Sequence, residues 1–304
     1  MRRCFGIAAA RRKRPPRRDG YVLIMVLVLI VVAALSEAGL ARKSLQRALA
    51  AQQAQAELQR RWAAASCQQT LLDDAQQRFI AWEDAEGRSP RWPAPRSAVA
   101  ECIVGGYRMR VRLADEEAKL NLNALYAKQP EKFRSALLTL VSTELPLEPR
   151  PDLSRTAKLR RQTFSTWGQL FSLAAVLSQA DGFDRLLAAT DRITCWGDGK
   201  TNLRRCDDAT LMHVVTGAVG RDAASDAIKS RRAAEEDLLL PAFLESLDLR
   251  RSEQLKLRAV LSDESTCYSL WLELADAQGR RWYHLWIAGD RQTRTPDGLI
   301  SFHW

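Results

Sequence analysis

The most uniformly apolar stretch of the chain lies near its N-terminus. Residues 21–35 are fifteen consecutive residues without a charge, a composition too apolar for a helix on the surface of a water-soluble domain. The residues before this stretch are strongly basic, and positive charge beside a membrane helix favours the cytoplasmic side. The pattern predicts a single membrane-spanning segment with the rest of the chain outside the cytoplasm.

A helical pattern continues beyond this stretch. Residues 41–82 contain no proline or glycine and are rich in Ala, Gln, Leu and Arg, which favour helix. Apolar residues at helical spacing predict one apolar face: Leu58, Trp62, Ala65, Leu72 and Phe79. We predict one helix of roughly 60 residues, its first part in lipid and its second packed on a folded domain. The alternative is an anchor followed by a separate amphipathic helix, with a break near Gly39.

Three types of N-terminal signal fit this segment. Small residues before Gly39 allow secretory cleavage after Ala38, and an uncleaved anchor is a second possibility. In the third, Arg17-Arg18-Asp19-Gly20 followed by Tyr21 resembles a prepilin-peptidase site. Cleavage between Gly20 and Tyr21 would remove the basic leader and keep the helix.

Further along the chain, strand and helix patterns alternate. Prolines interrupt the helix in residues 87–95, and apolar alternation in residues 107–113 then predicts a half-buried strand whose other face, with Arg108, Arg110 and Arg112, is solvated. Helices are predicted over residues 124–144, 166–189, 208–216, 221–233 and 235–260. Strand alternation returns in residues 268–274 and 282–287. The order predicts an α+β domain with a large helical insertion.

Charge distribution argues against a nucleic-acid partner. The chain has a formal net charge of +10, but residues 1–20 hold eight basic residues and one acidic residue. The remainder has 38 basic and 35 acidic residues and is close to neutral. In residues 211–228 the pattern resembles a helix-hairpin-helix, where Arg221 could hold a phosphate but Asp222 and Asp226 would repel one. We expect this hairpin to serve packing.

Catalytic signals are weak. The three histidines, His213, His284 and His303, are scattered, and the sequence has neither H-E-x-x-H nor G-x-S-x-G. We therefore expect no enzymatic activity. The six cysteines include no C-x-x-C pair, which favours structural thiols or disulfides. We predict a disulfide between Cys195 and Cys206, closing a loop of ten intervening residues, in an oxidising compartment.

Two polar stretches are similar to motifs of a known family. Residues 115–123, DEEAKLNLN, resemble the D-x-x-G-K-x-N-x-N stretch that opens the inserted helical domain of K-type minor pseudopilins of type II secretion systems. Residues 197–204, GDGKTNLR, resemble that family's second G-K-x-N-x-N stretch. Ala118 replaces a glycine, and Arg204 and Cys206 also depart from the pattern. Met25 stands where prepilins usually carry glutamate, and K-type subunits lack that glutamate.

The resemblance covers nearly the whole chain and implies a fold. It implies a pilin-like long N-terminal helix packed on an antiparallel sheet, with a large inserted α-helical domain. The expected segments are a basic leader peptide (1–20), the transmembrane part of the helix (21–40), the pseudopilin helix and first strand (41–114), the inserted helical domain (115–260) and C-terminal antiparallel strands (261–304). Near the start of the inserted helical domain, we expect Asn123 to cap a helix beginning near Ala124.

The implied function is assembly. A K-type subunit would cap the tip of a secretion pseudopilus, bind other minor pseudopilins and the secretion assembly platform, and be cut and methylated by prepilin peptidase. It would lie in the inner membrane as a single-pass protein with its bulk in the periplasm, and we expect Leu58, Trp62 and Ala65 to contact partners. The alternative is an anchored or secreted α+β protein whose helical block binds a ligand or nucleic acid.

Calcium is the cofactor that the sequence suggests. Asp191, Asp198, Asp207 and Asp208 cluster in one polar region, and hard oxygen ligands in a flexible loop suit Ca²⁺. The spacing does not match an EF-hand, but some K-type pseudopilins bind calcium. The cluster, supported by this resemblance, predicts these four aspartates as calcium ligands; the alternative is an acidic loop that is only solvated.

Overall fold

The structure is a computed structural model that describes residues 19–85, 94, 96–104, 106–128, 133, 137, 150, 164–179, 181–234, 239–289 and 299–303. Residues up to Gln59 and residues from Arg60 onward form two compact units. The basic leader predicted at residues 1–20 lies almost entirely outside the described residues.

The N-terminal helix α1 spans Asp19–Leu72 without interruption at Gly39. The predicted long helix is therefore confirmed, but its end was placed too late. A turn at Asp73 and Asp74 separates α1 from the second helix, α2 (Ala75–Ala85). Aspartate has low helix propensity, and the Arg78 side chain donates to the Thr70 carbonyl over this turn, with Nε and O 3.3 Å apart. In the described residues, α1 is the one helix long and apolar enough to cross a membrane.

Nine strands are described. They are β1 (Ser97–Val104), β2 (Tyr107–Asp115), β3 (Leu120–Asn121), β4 (Ile193–Thr194), β5 (Thr201–Asn202), β6 (Leu261–Ser262), β7 (Tyr268–Ala275), β8 (Arg281–Ala288) and β9 (Leu299–His303). Five of them form an antiparallel sheet in the order β1-β2-β7-β8-β9. The remaining four form two short parallel pairs, β3 with β4 and β5 with β6.

Between β2 and β7, the helices predicted over residues 208–216 and 221–233 are confirmed, whereas those predicted over residues 166–189 and 235–260 are divided into shorter helices. Most of the helix predicted over residues 124–144 lies outside the described residues. The described α-helices of this region follow in chain order. They are α3 (Leu122–Lys128), α4 (Leu173–Leu177), α5 (Gly182–Ala189), α6 (Asp208–Val219), α7 (Arg221–Ala233), α8 (Leu240–Glu245) and α9 (Arg251–Arg258). The helix predicted over residues 166–189 is broken because α5 turns back closely on α4. A Cβ at Gly182 would lie 1.8 Å from the Val176 carbonyl oxygen, so this approach requires glycine. The pair α6 and α7 confirms the predicted hairpin.

Both faces of the sheet are covered. One face packs on the C-terminal part of α1 and on α2, where Leu72 and Phe79 meet Met109, Val111 and other sheet residues. The opposite face, including Trp271, Leu285 and Ile287, packs on inserted residues such as Phe183 and Leu186. A separate core joins α6 to α9.

The prediction that the arginine face of β2 is solvated is therefore wrong in part. Arg112 is only 6% exposed because inserted residues cover it. Arg108 remains exposed at the other end of the strand. The fold class itself is confirmed: an α+β chain with a long N-terminal helix, an antiparallel sheet and inserted helices.

Candidate assembly site

The predicted partner-binding residues are exposed on α1. In the N-terminal unit, the Leu58 side chain is 56% exposed. In the second unit, Trp62 is 66% exposed and Ala65 is also exposed, whereas the adjacent Ala63 and Ala64 are buried against the sheet. The single apolar face predicted from the sequence is thus divided, because Leu72 and Phe79 belong to the core. Trp62 and Ala65 are available to another molecule.

The membrane segment presents apolar side chains around the helix. Residues 20–35 of α1 are all exposed. Gly20 and Tyr21, the predicted cleavage site, lie in the first turn of α1. Met25 is exposed in the same segment, at the position where prepilins usually carry glutamate.

A buried carboxyl group, Asp115, lies where β2 enters the insertion. Its Oδ1 accepts hydrogen bonds from the backbone N–H groups of Glu117 and Ala118, at 2.9 and 3.1 Å. Its Oδ2 accepts from Ser265 Oγ at 2.7 Å and from Asn202 Nδ2 at 3.1 Å. Burial raises the pKa of Asp115 to about 6, against the lowering effect of the Ser265 hydroxyl and the nearby Arg205. The group joins three segments that are distant in sequence.

The next two carboxylates extend this junction to β7. Glu116 Oε1 accepts from Lys119 Nζ at 2.6 Å and from the Ser269 hydroxyl, and both residues of the ion pair are buried. Burial lowers the pKa of Lys119, which Glu116 partly opposes. Glu117 accepts from the Thr266 backbone N–H at 2.7 Å. Burial raises the pKa of Glu117.

The two K-x-N stretches, residues 119–121 and 200–202, have similar local structures. Asn121 ends β3, and its side chain binds the Trp196 carbonyl at 2.8 Å and accepts from the Ala124 N–H at 3.0 Å. Asn202 ends β5, and its side chain binds Asp115 and accepts from the Arg204 N–H at 2.9 Å. Each asparagine thus follows a short parallel strand and turns the chain after it.

The prediction that Asn123 caps a helix is wrong. Asn121 supplies the acceptor for the Ala124 N–H, since α3 already begins at Leu122. The Asn123 side chain instead donates to the carbonyls of Cys195 and Phe164, at 2.7 and 2.9 Å, and accepts from the Phe164 N–H at 2.7 Å. It ties α3 to two distant segments.

Three of the four predicted calcium ligands pair with arginines. Asp191 accepts from Arg96 Nε at 2.8 Å and from Arg112. Asp207 accepts from Arg96 Nη1 at 2.7 Å and caps α6 through the Thr210 N–H at 2.7 Å. Asp208 pairs with arginines of α7, namely Arg231 and Arg232.

These pairings hold the aspartates in their charged form. Burial would raise the pKa of Asp191, but the charges of Arg112 and Arg96 outweigh it and lower that pKa. The fourth residue, Asp198, accepts from the Lys200 N–H at 2.8 Å. Within the described ranges, no three or more His, Cys, Asp or Glu side chains are grouped to hold a metal ion. Calcium binding stays a prediction, and it would require Asp191, Asp207 and Asp208 to leave their arginine partners.

The predicted disulfide partners are both buried but belong to different cores. Cys195 lies in the core between the sheet and the insertion, and Cys206 lies in the core of α6 to α9. The Cys206 sulfur lies 3.3 Å from Arg231 Nη1, and burial raises the pKa of this thiol to about 12. The disulfide stays a prediction.

Sequence reasoning missed Arg96, Ser265 and Thr266. Arg96 contacts Asp191 and Asp207 across 95 and 111 residues, and Ser265 contacts Asp115 across 150. Contacts of this range leave no periodic signal in the sequence. The hairpin residue Arg221 is exposed at the start of α7.

No family model matches the chain, and no curated protein matches it. The structure is similar to a chain in the GspK-GspI-GspJ complex from the type 2 secretion system of enterotoxigenic Escherichia coli. The sequence identity is 15% and the TM-score is 0.36, and the match covers 81% of this chain and 98% of that chain.

Proposed function

We propose that this chain is a minor pseudopilin that caps the tip of a type II secretion pseudopilus and assembles with other minor pseudopilins to support protein export. The observation that carries the proposal is helix α1. It runs from the predicted cleavage site through an exposed apolar segment long enough to cross a membrane, and continues without a break to Leu72. Prepilin-type cleavage before this segment would preserve the helix in the mature protein, whereas secretory cleavage after Ala38 would divide it.

The proposed location follows from the charge pattern. The basic leader stays in the cytoplasm, residues 21–40 span the inner membrane, and the sheet with its inserted helices lies in the periplasm. Prepilin peptidase cuts between Gly20 and Tyr21 and methylates the new terminus. The secretion assembly platform then draws α1 out of the lipid.

Two further observations support a K-type subunit. Met25 offers no carboxylate to the N-terminal amine of another subunit, which fits a terminal position. The two K-x-N stretches build equivalent junctions, one where the chain enters the insertion and one halfway through it. The residues that resemble the family motif thus have structural roles, as a scaffold for assembly requires.

N-terminal sequencing of the mature full-length protein tests the proposal. A start at Tyr21 supports it, whereas a start at Gly39 indicates a secretory signal and an intact Met1 indicates a plain anchor. Gly20→Leu should block processing, because the peptidase must accommodate a residue without a side chain at this point. Met25→Leu is the matched control, which should be processed like the wild type. Normal processing of Gly20→Leu would contradict the assigned signal.

A further inference from the structure

Two cysteines, Cys67 and Cys102, have no role in the assembly described above. Cys67 lies on α1, half-buried, and packs against the core between that helix and the sheet. Cys102 is exposed on β1, the strand at one edge of the described sheet. Of the other described cysteines, Cys195 and Cys267 are buried in the core between the sheet and the insertion, and Cys206 is buried in the core of α6 to α9.

The strand register places Cys102 on the face of the sheet that α1 covers. Cys102 lies directly opposite Met109 of β2, and opposed residues of antiparallel strands project from the same face. Met109 is 1% exposed and belongs to the core against which Cys67 packs. Both thiols therefore belong to the same helix–sheet layer.

Several small residues belong to the same helix–sheet layer as the two thiols. Ala63 and Ala64 are buried about one helical turn before Cys67, and Ala98 of β1 packs against the same core. Short side chains allow a helix and a strand to approach closely, which a disulfide requires because its Cα atoms are usually about 4.4–6.8 Å apart. Burial raises the pKa of Cys67, and the neighbouring Cys102 adds to that increase, as expected of groups close enough to interact.

We propose that Cys67 and Cys102 form an intramolecular disulfide when the protein is in an oxidising compartment. The bond would tie the C-terminal part of α1, next to the exposed Trp62, to the edge strand of the sheet. It would close a loop of 34 intervening residues. This proposal does not depend on the proposed function, because the reaction can be followed on purified protein.

A thiol–disulfide exchange with oxidised glutathione gives the balanced reaction. The Cys102 thiolate attacks one sulfur of glutathione disulfide, and one glutathione leaves as thiolate. The Cys67 thiolate then attacks the Cys102 sulfur of the mixed disulfide, and the second glutathione leaves. The protein loses two protons and two electrons, which the two released glutathione thiols carry. Cys102 reacts first because it is exposed, and Cys67 resolves the intermediate.

The test uses the full-length chain in detergent, incubated with oxidised glutathione, alkylated under denaturing conditions, digested with trypsin and mapped by mass spectrometry. Trypsin places each thiol alone on its own peptide, residues 62–78 and residues 97–108. We expect protein that runs as a monomer on a non-reducing gel to yield these two peptides mainly in linked form. In Cys67→Ser the glutathione adduct should persist on Cys102, and in Cys102→Ser the link and the adduct should both be lost.

The outcomes against the proposal are distinct. Recovery of wild-type residues 62–78 in alkylated, unlinked form overturns it, whether Cys102 carries glutathione or not. A link found only in a covalent dimer overturns it as well, since the bond would then join two chains. Cys195, Cys206 and Cys267 serve as internal references, because their burial should keep them from reacting with glutathione in the folded protein.

Discussion

At the scale of single residues, Asp115 combines full burial with a pKa of about 6 instead of 3.8. The folded protein therefore binds this proton more tightly than the unfolded chain does. The stabilisation from the protonated group is complete below about pH 4 and is lost as the pH rises through about 6. A difference of about two pKa units corresponds to about 3 kcal/mol in the free energy of unfolding.

We predict that Asp115→Asn removes this pH-dependent contribution. The advantage in free energy of unfolding of wild type over variant should decrease by about 3 kcal/mol between pH 4 and pH 7, measured by denaturant unfolding in detergent. Ser265→Ala is the matched variant. It removes a hydrogen bond to the charged carboxylate and should move the midpoint of the pH dependence upward. If the free energy of unfolding changed with pH in the same way for wild type and Asp115→Asn, the raised pKa would not belong to Asp115.

Asp191 contributes to stability through buried Arg112. Asp191→Asn removes the ion-pair partner of Arg112, a residue that is only 6% exposed. We expect a loss of about 3 kcal/mol in the free energy of unfolding at pH 7. Asp184→Asn removes an exposed partner of Arg110 and should cost about 1 kcal/mol or less. Equal losses in the two variants would show that burial of the Asp191 pair has no energetic consequence.

Calcium binding by Asp191, Asp198, Asp207 and Asp208 can be tested by thermal unfolding in calcium chloride and in chelator. An ion that binds only the folded state raises Tm with its concentration, and Asp198→Asn should reduce that increase without breaking an arginine pair of the other three. Identical Tm values for the wild type in calcium and in chelator would refute the calcium site.

At the scale of elements, α1 separates residues that stabilise the fold from residues that are available to partners. We predict that Trp62→Ala combined with Ala65→Arg changes the free energy of unfolding little, since both side chains are exposed. The same change should weaken co-purification with the other minor pseudopilins at least tenfold. Phe79→Ala is the contrasting variant, with a completely buried side chain and an expected cost of about 3–5 kcal/mol. Undiminished co-purification of the double variant would exclude this face.

Arginines at the sheet also bind the inserted segment. Arg96 precedes β1 and Arg112 lies in β2, and both bind aspartates of the insertion. Partly buried ion pairs therefore hold the insertion to the sheet, in addition to apolar packing. Electrostatic pairs of this type require specific geometry, which apolar contact alone does not impose.

At the scale of the whole molecule, we predict assembly with two other minor pseudopilins in equal stoichiometry and no homopolymer. Met25 cannot neutralise the amine of a subunit ahead of it, while a neighbour's glutamate could receive the amine of Tyr21. The size of the inserted block would also obstruct lateral stacking of identical subunits. Light scattering of the full-length protein in detergent, alone and with the co-expressed partners, measures both properties. Polymerisation alone without partner binding would contradict a tip position.

Local patterns in the sequence determined a large part of this fold. The charge-free residues 21–35 and the helix-forming residues after them were sufficient to predict α1, and the alternation in residues 107–113 and 268–274 was sufficient for β2 and β7. These elements depend on the period of apolar side chains, which neighbouring residues define. The motif residues Asn121 and Asn202 could be selected from the sequence, although their partners could not.

Tertiary structure decided which surface each pattern faces. The alternation of β2 is the same whether water or a helix covers its arginines, so burial of Arg112 could not be predicted. The predicted stripe divided because the sheet covers only one side of α1 and α2, leaving Trp62 of α1 exposed and Phe79 of α2 buried. The pairs of Asp115 with Ser265 and of Arg96 with Asp191 join residues 150 and 95 positions apart. Their geometry arises only when the sheet and the insertion pack, because spacing along the chain carries no information about such distant contacts.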